Sequence, residues 1–258
     1  MRLDKRVIIV TGGAQGIGKA YAERFAREGA TVVVADIRTE AAEATAAAIG
    51  HGAVGLAVDV SSEASTQALS QQVMDRLGRI DVLVNNAAIY YDLDRQQQTL
   101  EYFNKVLSVN LTGAWLMSRA VERFMKRQKS GRIIHQSSTA AYLANVGMVN
   151  TDDPDAPMPP FHYSVAKIGI VGLTKYMAGA LGPWGINVNA IAPGVTLTDA
   201  TKKVVPEGIL NSLVMFSALR KPLQPEDLTG TAVFLASDDS AMMTGQTLVV
   251  DGGMVMLG

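Results

Sequence analysis

Tyr163 and Lys167 carry the side chains in this sequence best placed to move a proton. They stand four residues apart in Tyr163-Ser-Val-Ala-Lys167, at the start of a helix-like run. On a helix that spacing puts both side chains on one face. An unperturbed phenol has a pKa of roughly 10, too high for a base near neutrality. A neighbouring positive charge favours the phenolate and lowers that value. Reaching about 7 requires roughly 4 kcal/mol of preferential stabilisation. One lysine together with a cationic cofactor in a desolvated cleft can supply it. Tyrosine–lysine pairs at this spacing also occur by chance on helix surfaces, so the pair gains meaning only if the chain builds a nucleotide site as well.

The N-terminal residues read as such a site. Val7-Ile8-Ile9-Val10 is an apolar run of strand length, as expected for a parallel strand buried on both faces. Thr11-Gly12-Gly13-Ala14-Gln15-Gly16-Ile17-Gly18 follows. Ala20 to Arg27 then reads as a helix, with Ile17, Tyr21 and Phe25 spaced for one face and Gly29 ending it. Thr31-Val32-Val33-Val34-Ala35 is a second buried strand, closed by Asp36. Glycines let the backbone turn tightly and approach a pyrophosphate, whose charge sits on the helix N-terminus. An acid about twenty residues on can accept ribose hydroxyls. The plainer alternative is a glycine turn without a ligand; the flanking strands and Asp36 weigh against it.

The spacing Gly12-x-x-x-Gly16-x-Gly18 is neither the commonest dinucleotide fingerprint nor a triphosphate loop. At these residues the chain resembles the short-chain dehydrogenase/reductase family, over nearly its whole length. The marks are the glycine run, Asp59-Val60, Asn85-Asn86-Ala87, Asn110, Ser137-Ser138, Tyr163 with Lys167, and Pro193-Gly194-Val195-Thr196-Leu197-Thr198, in the family's order. Each is common alone; the set is specific. Ala88 stands where the family usually has glycine after Asn85-Asn86-Ala87, a change too small to imply lost function.

Composition agrees. The chain has 258 residues and a net charge of −1 with the two signs interspersed, which offers nucleic acid or an anionic membrane no electrostatic footing. It has no cysteine, excluding disulfides, thiolate catalysis and cysteine-held metals. No metal-ligand spacing is present, and Asp152, Asp153 and Asp155 lack the glycine and distal glutamate of a calcium loop. No run reaches membrane-spanning length, so a cytoplasmic protein is the default. No linker divides the chain, and residues 1–258 read as one dinucleotide-binding and catalytic domain.

Helix-like segments follow Thr39, Ser62 and Thr99, the last running to about Arg127. Strand-like runs are 53–58, 80–84, 132–135, 186–191 and 247–250, and Pro225-Glu226-Asp227-Leu228 reads as a helix start. Alternating strands and helices imply an α/β fold with a Rossmann-type, doubly wound parallel sheet flanked by helices. Ligands in such sheets bind beyond the strand carboxyl ends, where every motif above falls.

The resemblance implies a set of roles. Gly12, Gln15, Gly16, Ile17 and Gly18 hold the pyrophosphate side of NAD, and Asp36 its ribose. Asp59 and the Val60 backbone face adenine, although Asp59 can equally cap the following helix. Asn86 and Ala87 shape the adenine-ribose side and steady the sheet. Asn110 distorts its helix and holds a water linking Lys167 to solvent; the bland alternative is a locally bonded polar residue. Ser138 hydrogen-bonds the substrate oxygen, with Ser137 turned to the other side by strand alternation. Tyr163 is the general acid and base, and Lys167 lowers its pKa and bonds the nicotinamide ribose. Pro193, Thr196 and Thr198 hold the carboxamide. The implied activity is NAD-dependent interconversion of a secondary alcohol and a ketone, without metal. Asp36 sets the preference for NAD, which Arg38 can soften.

Two segments depart from the family pattern or vary within it. Ser138 and Tyr163 are farther apart than the family usually shows, with a proline- and acid-rich insertion at about 145–161. It reads as a solvated loop or as a cover over the substrate; His162 beside it can face pocket or solvent, while His51 and His135 read as structural. Residues 197–222 place apolar side chains at helical spacing after a polar hinge, as a substrate lid or a packed helix would. The family's assembly implies a homotetramer, with Trp115, Leu116, Met117, Val171, Leu173 and Met177 on its helices. The tail Met254-Val255-Met256-Leu257 packs on a partner or back on its own core. A nucleotide-sugar epimerase or dehydratase shares the tyrosine–lysine pair but needs a larger C-terminal substrate region. A non-catalytic nucleotide-binding protein on the same fold would not need Asn110, Ser138, Tyr163 and Lys167 together.

Overall fold

A computed structural model describes residues 1–89, 99–143, 152–154, 161–204 and 207–257. Seven parallel strands form one sheet in the order β3-β2-β1-β4-β5-β6-β7. The strands are β1 (Val7–Thr11), β2 (Thr31–Asp36), β3 (Val54–Ala57), β4 (Val82–Asn85), β5 (Gly131–Gln136), β6 (Ile186–Pro193) and β7 (Thr247–Val250). β1 pairs with β2 on one side and β4 on the other, so the winding direction reverses at β1. That reversal opens a crevice at the carboxyl ends, where Thr11, Asp36, Asn85 and Gln136 end their strands.

Helices cover both faces. They are α1 (Gly16–Arg27), α2 (Thr39–Ile49), α3 (Glu63–Leu77), α4 (Leu100–Leu107), α5 (Gly113–Gln128), α6 (His162–Leu181), α7 (Asp199–Val204), α8 (Glu207–Met215) and α9 (Thr229–Ala236). Strand alternation decides which face each side chain enters. Ile8, Val10, Val84 and Ile134 pack with Tyr21 and Phe25 of α1 and with α9. Ile9, Leu83 and Ile133 pack with α3, α5 and Met177 of α6. Each fully buried aliphatic side chain adds roughly 1.5–3 kcal/mol, so these two layers fix the strand ends that carry the site.

Several boundaries differ from the sequence expectation. α1 begins at Gly16 rather than Ala20, because glycine's poor intrinsic propensity hides a helical first turn. The helix expected from Thr99 to Arg127 is interrupted by a π-turn at Ser108–Thr112. β6 runs on to Pro193, where Gly194 supplies the next backbone bond, to Val250 O at 2.9 Å. Met117 and Met177, expected on an assembly surface, belong to the chain's own core, and Leu116 and Val171 are buried too. The exposed apolar side chains on those helices are Trp115, Val165, Ile168 and Tyr176. No helix among the described residues is long and apolar enough to cross a membrane.

Candidate active site

Local chemistry explains why the first glycine turn stays open. Gly12 and Gly16 have φ of 62° and 53°, the left-handed region that glycine adopts most easily. A Cβ on Gly12 would lie 2.9 Å from Ala87 Cα, and one on Gly18 only 2.2 Å from Gly12 O. Thr11 Oγ1 donates to Val84 O at 3.3 Å and accepts the Asn86 and Ala87 N–H groups, each at 3.1 Å. Asn86 Nδ2 returns to Thr11 O and Gly12 O at 3.0 and 3.2 Å. The two loops on either side of the switch point are therefore locked together. Gln15, at the N-cap of α1, makes no side-chain cap bond, and the first turn holds no acid. α3 and α4 differ: Ser62 accepts from Ser65 N and Thr99 from Tyr102 N. The N–H groups at the start of α1, including those of Ile17 and Gly18, are thus left for an external acceptor.

Asp36 is buried at the end of β2. Its Oδ2 accepts Ala14 N–H at 3.2 Å and Oδ1 accepts Arg38 N–H at 3.1 Å, with Arg38 Nε 3.5 Å from Oδ1. Asp59 Oδ1 accepts from Ser61 N and Oγ at 2.9 and 2.6 Å. It organises that turn; the α3 cap expected of it is Ser62 instead. Val60 packs its side chain on the start of α5, where a Cβ on Gly113 would lie 2.8 Å from Val60 Cγ2.

On the other side of the switch point, Asn110 sits in the π-turn, so the expected helix distortion is present. Its side chain clips Ile89, with Ile89 N–H donating to Oδ1 at 2.8 Å and Nδ2 donating to Ile89 O at 3.0 Å. That clip fixes the segment following Ala87 against the π-turn. Ser137 is buried and donates to Lys167 O at 2.9 Å. Ser138, half-buried, accepts Ala140 N–H at 3.1 Å, and this leaves its own proton available. The two serines thus serve different elements, Ser137 tying to α6 and Ser138 to the turn that follows it.

Tyr163 lies in the first turn of α6 and is half-buried. Lys167 is 2% exposed one turn on, with Nζ 5.3 Å from the Tyr163 ring centroid and donating to Gln136 O at 2.8 Å. Burial pushes the Lys167 pKa down to about 8. Gln136, which sequence reasoning did not single out, also accepts from Tyr21 Oη at 3.0 Å. Tyr21 stays protonated, because burial raises its phenol well above the usual range. A cavity of about 10 Å³ borders Thr11, Asn85, Asn110 and Gln136, and is no larger than one water. A groove of about 250 Å³ between α3 and α5, lined by Glu63, Gln67, Arg119 and Arg123, contains none of these residues.

Pro193 ends β6, and Thr196 Oγ1 donates to Gly194 O at 3.1 Å. Thr198 Oγ1 accepts Thr201 N–H at 3.1 Å, while its Cγ2 would lie 3.4 Å from a Cβ on Gly16. The Pro193–Thr198 strap thus approaches the glycine turn. The segment after it folds as α7 and α8, and Met215 and Phe216 are exposed. His162 is buried, stacked on Phe161 at 4.7 Å and edge-on to Tyr102 at 5.6 Å. It packs among aromatic side chains rather than facing solvent. Most of the 145–161 insertion lies outside the described residues. Thr11, Gln136 and Ile89 are the contributors missed from sequence; only Thr11, directly before the glycine run, carried a positional signal. No group of three or more potential metal-ligating side chains occurs among the described residues.

Comparison with known proteins agrees with this geometry. A family model described as enoyl-(acyl carrier protein) reductase matches residues 12–255. A 3-oxoacyl-[acyl-carrier-protein] reductase of Synechocystis is 41% identical, covering 98% of each chain. A probable galactose dehydrogenase of Rhizobium meliloti is 38% identical, covering 98% of this chain and 96% of that protein. A solved short-chain type dehydrogenase/reductase from Mycobacterium marinum superposes with a TM-score of 0.87 at 32% identity, over 99% of this chain and 97% of that one.

Proposed function

Because the chain belongs to the short-chain dehydrogenase/reductase family, we propose that it is an NAD(H)-dependent oxidoreductase interconverting a secondary alcohol and a ketone. The observation that carries the reading is Lys167, buried one helical turn from Tyr163 and anchored on Gln136 O. A buried lysine is costly unless its charge has work to do.

The cofactor's fit rests on the uncapped start of α1 and on the glycine cradle, which a Cβ would fill. Bound there, nicotinamide supplies or accepts the hydride. Gly12, Gln15, Gly16, Ile17 and Gly18 receive the pyrophosphate, Asp36 the ribose hydroxyls, Asp59 and the Val60 backbone the adenine, and Asn86 and Ala87 the adjoining ribose. Pro193, Thr196 and Thr198 hold the carboxamide. Ser138 Oγ donates to the substrate oxygen and shares its developing charge. Tyr163 Oη delivers the proton in reduction and takes it in oxidation, a transfer typically worth about 10²–10⁴-fold. Lys167 favours the phenolate and reaches the nicotinamide ribose. Asn110 holds the segment beside them through Ile89.

The chain acts as one domain, in the cytoplasm, as a homotetramer. The two relatives above bear different substrate names, so the reading stops at the carbinol–carbonyl class. An NADH absorbance assay over an alcohol and ketone panel tests it, and the absence of turnover on every member would overturn it. For the cofactor, kcat/KM with NADH should exceed that with NADPH by at least about tenfold, because a 2′-phosphate meets the Asp36 carboxylate. Asp36→Asn should narrow the ratio. Equal values in the wild type would mean that Arg38, 3.5 Å from Asp36, receives the phosphate.

A further inference from the structure

We propose that Asp251 is a positioning residue that couples the lid after Thr198 to the Pro193–Thr198 strap. The inference rests on the reading of that strap as the nicotinamide side of the site, and of the segment after Thr198 that carries α7 and α8 as its lid. Asp251 follows β7 directly and is 6% exposed. Its carboxylate binds backbone: Oδ1 accepts Gly253 N–H at 2.7 Å and Oδ2 accepts Val255 N–H at 2.6 Å. Gly252 and Gly253, with φ of 70° and 83°, reverse the chain around it.

The turn so formed offers its carbonyls to the end of the lid. Leu219 N–H donates to Gly252 O at 2.9 Å and Ala218 N–H to Gly253 O at 3.2 Å. On its other flank Asp251 meets the strap: a Cβ on Gly194 would lie 2.7 Å from Asp251 Cβ and 2.8 Å from its Cα. Only glycine allows that approach. The base of the lid is closed separately, by Leu197 N–H to Leu223 O at 2.8 Å and Leu223 N–H to Val195 O at 2.9 Å. Lid return, strap and C-terminal tail therefore meet at the Asp251–Gly253 turn, which the Asp251 carboxylate holds. A substrate that moves the lid must move the strap with it, or break the Gly252–Gly253 turn.

Two variants separate the parts. Asp251→Ala removes both carboxylate bonds but keeps the Cβ against Gly194. Asp251→Asn keeps an acceptor for Gly253 N–H and loses the one for Val255 N–H. Hydrogen–deuterium exchange on the protein without cofactor reads the amides directly. In Asp251→Ala the amides of Gly194, Leu197, Ala218 and Leu219 should exchange about tenfold faster or more, with β1 and β4 unchanged. Asp251→Asn should speed exchange at Val255 and leave those four near wild type. In turnover, Asp251→Ala should raise KM for cofactor and substrate more than it lowers kcat. Unchanged exchange at the four amides would overturn the proposal. So would a uniform increase that includes β1 and β4, which signals ordinary loss of stability. A wild type inactive on the whole alcohol and ketone panel removes the proposed function while leaving the exchange result standing.

Discussion

Lys167 and His135 are both fully buried bases near the carboxyl end of the sheet, yet their surroundings assign them opposite work. Burial pushes both toward the neutral form, Lys167 to about 8 and His135 to about 3. His135 is closed on both nitrogens: Nε2 lies 3.3 Å from Ser118 Oγ on α5, and Nδ1 lies 3.0 Å from Thr174 Oγ1 on α6. Asn85 joins from β4, donating to Ser118 Oγ at 2.9 Å. Each hydroxyl can also donate to its own helix, Ser118 to Ala114 O and Thr174 to Ile170 O, both at 2.7 Å. A neutral ring has one N–H, so it donates to one hydroxyl and accepts from the other, whose single proton is then not given to its own helix. His135 is thus a tie between two helices and the sheet. Lys167 carries up to three N–H donors, and Gln136 O is its one hydrogen-bond acceptor among the described residues. Donors not used by the protein are what a ribose hydroxyl or a proton relay needs. Burial is common to both groups; the unused donors of Lys167 are what the proposed function draws on.

The largest expected effect tests the catalytic side. Tyr163→Phe should lower kcat by about 10²–10⁴-fold and leave NADH affinity within about threefold, measured by steady-state rates and fluorescence titration. Lys167→Ala should lose both turnover and affinity. A Lys167→Ala protein that keeps NADH affinity would restrict the lysine to the proton path.

His135→Ala should do the reverse. It removes two buried hydrogen bonds and should cost roughly 1–3 kcal/mol in urea unfolding, with kcat/KM within about threefold of wild type. A collapse in kcat matching that of Lys167→Ala would dissolve the distinction between the two bases.

Per pH unit, the smallest effect is in the pH dependence of stability. Folded His135 titrates at about 3, below its ordinary 6.5, so the unfolded chain binds the extra proton between those values. Stability should therefore fall as pH drops from 6.5 toward 3, by at most about 1.4 kcal/mol per unit from this group. His135→Ala should flatten that limb. Folded Lys167 titrates at about 8 against 10.5 when free, so its contribution raises stability as pH climbs from 8 to 10.5. Lys167→Met should remove that alkaline rise. A wild-type acid limb that survives in His135→Ala would assign it to other groups.

Much of this was legible in the residues themselves. Apolar strand runs, the glycine spacing and the order of motifs gave the parallel sheet, the switch-point crevice and the pairing of Tyr163 with Lys167, because period and backbone freedom are local properties. Boundaries slipped where glycine serves a backbone turn with positive φ rather than the helix itself, as at Gly16. Only the folded chain could show that Gln136 O anchors Lys167 and that Asn110 clips Ile89. It alone placed Met117 and Met177 inside, and gathered the segment after Thr198, the strap and the tail at the Asp251–Gly253 turn. Those contacts join residues far apart in sequence through backbone atoms. Any residue type offers the same backbone groups there, so the sequence carries no mark of which ones will meet.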